Sequence, residues 1–168
     1  MKTLSVYRIK PNPTGKDRNR YGSPSASQLG GEWVDLRNSG SYALNTNGIG
    51  LYHLAYPSTG GKPEYRLAVN LPDCNLKPGE VLRVHSGQRR DLSVLNAEDR
   101  NGADWHSFTG EDAYVWNNRE GDAPTLYEQA VKETIDSTSY DPHPPEGVVL
   151  QRQGATLVPM YVTAGIYR

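Results

Sequence analysis

An all-β sandwich is the fold class this sequence predicts, and three observations point to it. Roughly eight to ten short apolar or alternating runs are separated by turn signals every 8–12 residues, the spacing of sandwich strands. The chain carries 17 Gly and 12 Pro, which mark many turns and disfavour a helical architecture. Hydrophobic residues make up only 36%, but 11 Tyr and 3 Trp supply large rings that build a core with a polar rim. At 168 residues the chain is long enough for one domain with its own core.

Taken in order, Leu4 to Ile9 alternates as a first strand. Pro11 to Arg20 is a turn-rich loop, and Tyr21 to Ser27 continues it as the most flexible-looking part of the chain. Glu32 to Asn38 reads as a strand with Val34 and Leu36 on one face and Trp33, Asp35 and Arg37 on the other. One or two short strands fall between Tyr42 and Tyr56, with Leu51, His53 and Ala55 sharing a face. Tyr65 to Leu71 and Glu80 to His85 are further strands, with Asn75-Leu-Lys-Pro-Gly79 as the turn between them. Asp91 to His106 is a polar connection with room for a helical turn near Leu95.

Tyr114 to Tyr127 reads as strand, turn, strand. Tyr114, Val115 and Trp116 are strand formers, Asn117, Asn118, Gly121 and Asp122 form the turn, and Thr125 to Tyr127 resume the strand. This hairpin is expected to carry Trp116 into the core. Glu128 to Asp136 has some helical spacing at Val131 and Ile135, but the β-branched and aromatic content of Thr134 to Tyr140 favours a second hairpin turning near Gln129-Ala130. Asp141-Pro-His-Pro-Pro145 is a stiff exit, and Val148 to Arg152 with Leu157 to Tyr167 make a last strand pair, with Pro159 at an edge or bulge.

Four blocks in this order resemble the lamin tail domain, an immunoglobulin-like β-sandwich. Asn12-Pro-Thr-Gly-Lys-Asp17 is similar to the loop after the first strand in bacterial members. Gly31-Glu-Trp-Val-Asp-Leu-Arg-Asn38 and Leu76-Lys-Pro-Gly-Glu-Val-Leu-Arg-Val-His-Ser-Gly87 resemble two of its strands. Tyr114-Val-Trp-Asn-Asn118, Gly121-Asp122, Thr125-Leu126 and Ile135-Asp136 match the most specific block. The blocks cover residues 4–140. Three features depart from the pattern. Glu128 to Glu133 lacks the usual turn glycine, residues 141–168 lie outside the pattern, and one cysteine stands where secreted members are expected to carry a pair. The resemblance implies recognition of protein, and sometimes of nucleic acid, without catalysis. The expected organisation is a lamin-tail-like sandwich over residues 1–140. Residues 141–168 then add a Pro-rich spacer and a C-terminal strand pair packed on the same domain or on a neighbour.

Little in the chain points to chemistry. His53, His85, His106 and His143 have no second ligand at metal spacing, and His53 and His85 read as polar-face residues of strands. Cys74 has no nucleophile motif around it and reads as an incidental thiol. Asp99-Arg-Asn-Gly-Ala-Asp104 faintly resembles a calcium loop but lacks its terminal Glu, so an Asx-turn is the expectation. No phosphate loop or hydrolase elbow is present, and Glu111-Asp112 reads as a solvated turn. No catalytic residue, metal or cofactor is therefore expected. The lone cysteine and the absence of a leader-like first segment favour a reducing, cytoplasmic setting. No apolar run has the roughly 20 residues of a membrane span.

The expected function is a non-catalytic protein-interaction module or a structural subunit of a larger assembly, binding a protein partner or a second copy of itself. The alternative is a DNA-binding domain using Lys16, Arg18 and Arg20 of one loop with Arg89 and Arg90 of another, although a net charge of -1 gives no bulk case for nucleic acid. A hydrolase without a recognisable signature comes last. The remaining partner-binding candidates are Val148, Leu150, Tyr161 and Tyr167, in a C-terminal segment too apolar for a free tail.

Overall fold

The computed structural model describes residues 2–16 and 24–160, and these form a sandwich of β-sheets. Its strands are β1 (Leu4–Lys10), β2 (Trp33–Asn38), β3 (Leu44–Asn45), β4 (Ile49–Ala55), β5 (Glu64–Asn70) and β6 (Asn75–Leu76) in the first half. β7 (Val81–His85), β8 (Trp105–Phe108), β9 (Thr125–Glu128), β10 (Glu133–Ser137), β11 (Leu150–Gln153) and β12 (Thr156–Pro159) complete the set. A six-stranded sheet has the order β12-β11-β1-β2-β7-β8, a four-stranded sheet has the order β10-β9-β4-β5, and β3 pairs with β6. Among the described residues no helix is long and apolar enough to cross a membrane.

The two larger sheets enclose one core. Leu4, Val6, Ile9, Val34, Leu36, Leu82 and Val84 face it from the six-stranded sheet, and Ile49, Leu51 and Leu126 from the four-stranded one. Two bulges set which residues face inward. In β1 the register slips between Val6 and Arg8, so Tyr7 is the extra residue and Ile9 turns into the core beside Val6. In β5 it slips across Ala68, because Leu51 pairs with Val69 but Tyr52 pairs with Leu67. Unbroken alternation would place Tyr65, Leu67, Val69 and Leu71 on one face. With the bulge, Val69 and Leu71 pack inward while Tyr65 and Leu67 stand 57% and 41% exposed outside.

One sequence expectation changes here, and the helical turn expected near Leu95 is present. Tyr114–Trp116 is not a strand but a loop. The N–H groups of Val115 and Trp116 donate to the buried carboxylate of Glu32, at 2.7 and 3.3 Å, in place of a backbone ladder. Trp116 nevertheless reaches the core and is 3% exposed. The expectation for Tyr21–Ser27 lies partly outside the described residues, which resume at Pro24. Ser25 and Gln28 form a capping box that starts a short helix, α1 (Ala26–Gly30). The 91–106 connection holds a 3-10 turn (Leu92–Val94) and a helix, α2 (Ala97–Arg100), before it enters β8, which pairs with β7 in parallel. A parallel pair requires a long crossover, and this connection is it.

The turn from β9 to β10 spans residues 129–132, with Glu128 opposite Glu133, as the hairpin reading expects. Without a glycine in it, Lys132 takes the left-handed conformation, with φ 56. At the C-terminus β11 pairs with β1, and β12 forms the edge of the same six-stranded sheet with Pro159 on it. Arg152 fastens this addition by bonding Asp136 of β10 and the carbonyl of Val6.

Candidate binding groove

The polar groups buried in the sandwich are the first place to look for chemistry, and the charged ones among them each have a partner. Glu32 is fully buried. Its carboxylate accepts from Lys16 at 2.6 Å, from the Ser86 hydroxyl, and from the Val115 and Trp116 amides. Burial pushes its carboxyl above the ordinary value, and Lys16 is the first of the groups that oppose this. Asp122, six residues after Trp116, is a second buried acceptor. It accepts from the Leu54 amide and from both the amide and the side chain of Asn117, while Tyr140 donates its hydroxyl to the Asn117 carbonyl. Gly121 lies between them with φ 74, and a Cβ there would meet the Tyr140 carbonyl oxygen at 2.5 Å. The most specific block of the sequence is therefore an internal knot.

A second buried layer lies on the outer face of the six-stranded sheet, beneath the crossover. Arg83 bonds Asp35 at 2.7 and 2.9 Å and lies 3.6 Å over the Trp33 ring. Lys10 and the Trp33 indole both donate to Asp99, so that residue is an ion-pair partner and not the first ligand of a calcium loop. His85, read from sequence as a polar-face residue, is fully buried here. Its Nδ1 donates to the Gly30 carbonyl at 2.6 Å, which leaves Nε2 to accept from Nδ1 of His106 at 2.8 Å. Among the described residues no group of three or more His, Cys, Asp or Glu is placed to hold a metal ion.

Burial holds the His85 ring at about 3, below its ordinary 6.5. Between those values the unfolded chain binds a proton that the folded chain does not, so stability rises with pH across the window. Stability is expected to be insensitive to this group above about pH 6.5. It should fall as the pH drops through the window, and His85→Gln should flatten that fall. Urea midpoints measured at several pH values check this, and an identical pH slope in the variant counts against it.

Of the residues chosen from sequence as partner contacts, Arg18, Arg20, Tyr161 and Tyr167 lie outside the described residues. Lys16, counted with that basic loop, points inward to Glu32, the Pro11 carbonyl and the Trp116 carbonyl, and is not a surface cation. Arg89 and Arg90 are exposed after β7. Val148 is half-buried at a hollow beside Arg8 and Arg83. Leu150 is 2% exposed and packs inside the molecule's own core, where it presents no side chain to a partner.

The outer face of the four-stranded sheet is different. A groove of about 370 Å³ crosses it, lined by Tyr52, Tyr65, Thr125, Tyr127, Thr134 and Ser137. Register explains the row: Tyr52 pairs with Thr125, Thr125 with Ser137, and Tyr127 with Thr134, while Tyr65 lies one step diagonally from Tyr52. The groove therefore runs across β5, β4, β9 and β10 rather than along a strand. Tyr52 and Tyr127 meet edge to face with centroids 5.9 Å apart. Gly50 makes room for this, since a Cβ there would come within 2.7 Å of the Tyr52 ring. No charged side chain lines the groove. Thr125 donates to the Ala123 carbonyl and shares a hydrogen bond with Ser137. The hydroxyls of Tyr52, Tyr65, Tyr127 and Thr134 bond no group among the described residues. The sequence reading did not select these tyrosines, because only the strand register brings them together.

No protein-family model matches the chain, and no curated protein sequence matches it.

Proposed function

We propose that this chain is a non-catalytic interaction module, an immunoglobulin-like sandwich of the lamin tail type, that engages a protein partner through the outer face of its four-stranded sheet. The observation that carries this reading is the tyrosine groove: three aromatic side chains on one open sheet face, with hydroxyls that bond nothing within the described chain. Aromatic side chains in an uncharged recess are the usual anchors of protein interfaces, because they bury much area at little cost in side-chain entropy. The buried titratable groups support a non-catalytic role, since Glu32, Asp35, Asp99 and Asp122 are each held by internal donors. The blocks that resemble the lamin tail domain fit the same reading, because the chemistry they carry holds loops in place.

Site-specific photo-crosslinking in the cells that make the protein tests this. A photoreactive phenylalanine analogue at Tyr65 is expected to join a partner polypeptide. The same group at Val94, which is 45% exposed on the crossover over the other sheet, is expected to join none. Equal capture at both positions, or none at Tyr65, would remove the groove as the binding face.

A further inference from the structure

We infer that the groove takes a proline-rich segment in the polyproline II conformation. This inference rests on the interaction-module reading and names the chemistry of its partner.

The lining decides the ligand class. A groove without a charged side chain gives no purchase to phosphate, to nucleic acid or to a strongly acidic or basic segment. Its polar groups are hydroxyls, and those of Tyr52, Tyr65, Tyr127 and Thr134 are available to donate. A proline-rich chain is the complement of that surface. Its prolines have carbonyl acceptors but no N–H, so the groove leaves no ligand donor unpaired, and its rings pack against aromatic walls. The preformed helix also loses little conformational freedom on docking.

Geometry separates this ligand from its competitors. The groove crosses the strands, and the backbone groups beneath it are already bonded within the sheet, so a peptide cannot add there as a strand. Strand addition would have to use one of the two edges: β5, where Glu64, Arg66 and the bulge at Ala68 discourage pairing, or β10, where Glu133, the irregularity between Thr134 and Asp136 and the bonds of Asp136 to Val6 and Arg152 do. A glycan carries hydroxyls that each donate and accept, yet no carboxylate, amide or guanidinium lines the groove to pair them. Length agrees as well. Four strands span three gaps of about 4.8 Å, or about 14 Å. At about 3.1 Å per residue, that holds a polyproline II stretch of about five residues.

The test titrates the full chain with synthetic decaproline, with an alternating Gly-Ser decamer and with a hexasaccharide of β-1,4-linked glucose, followed by calorimetry and by amide NMR shifts. Decaproline alone is expected to bind, with shifts confined to β4, β5, β9 and β10. Tyr65→Ala should weaken binding about tenfold or more, the scale of an aromatic interface anchor. Tyr65→Phe, which keeps the ring and loses the donor, should weaken it less. Tyr65 is 57% exposed, so both variants should melt with the parent chain. Binding of the hexasaccharide but not decaproline would make the groove a glycan site and overturn the inference. Failure of decaproline, with a Tyr65 crosslink to a partner segment lacking proline, overturns the ligand class and leaves the module reading standing. Failure of decaproline and of the crosslink removes both.

Discussion

A chain ending at Tyr140 is expected not to fold. Of the strands it would lack, β11 pairs with β1 in the six-stranded sheet and β12 pairs with β11 at its edge. Leu150 and Leu157, 2% and 3% exposed, would leave the core, and such losses cost about 2–5 kcal/mol each when a buried leucine is cut to alanine. Asp136 would also lose both of its bonds to Arg152. Together these approach the whole margin of a typical domain, about 5–15 kcal/mol. Thermal melting followed by circular dichroism, with light scattering for mass, decides the matter. A truncated monomer with a cooperative melt near that of the full chain would show the strand pair to be an addition to a complete sandwich, free to serve as a contact for another molecule.

Glu32→Ala is expected to cost about 3–5 kcal/mol, the range for removing one partner of a buried ion pair. Lys16, whose side chain is 8% exposed, would lose its carboxylate and be left with the Pro11 and Trp116 carbonyls, the Asn118 side chain and the Tyr114 ring. The Val115 and Trp116 amides would lose their acceptor, and no strand partner stands by to replace it. Glu32→Gln, which keeps an acceptor in place, should cost less. Trp116→Ala attacks the same loop from its apolar side and should cost about 3–5 kcal/mol. The two substitutions touch one loop, so their combined effect should fall short of the sum. Chemical denaturation measures all three, and a loss below roughly 1 kcal/mol for Glu32→Ala would show that the loop is held by other contacts.

These two results bear on function as well as stability. If the Glu32 and Asp122 clamps hold the 114–123 loop, the sequence block that most resembles the lamin tail domain marks the fold and not the binding face. A partner surface must then be sought elsewhere, and the tyrosine row on the opposite side of β4 and β9 is where the structure leaves aromatic rings and hydroxyl donors in the open.

The sequence by itself determined the strands whose apolar positions alternate and whose ends carry turn residues: β1, β2, β7 and the β9–β10 hairpin. These signals are local, because strand period and turn chemistry act over a few residues. Tertiary structure decided the rest. Tyr114-Val-Trp116 has strand composition, yet it is a loop because its amides find Glu32, a partner far away in sequence. Trp105–Phe108 becomes a strand only because β7 offers it a parallel edge. The groove was least legible of all. Tyr65 and Leu67 share the alternation of Val69 and Leu71, and nothing in the residues says that Ala68 will be skipped in pairing with β4. That one slip sends Val69 and Leu71 into the core and leaves Tyr65 beside Tyr52 and Tyr127 on the open face. Register is set by the fit of whole strands across a sheet, which no single strand encodes.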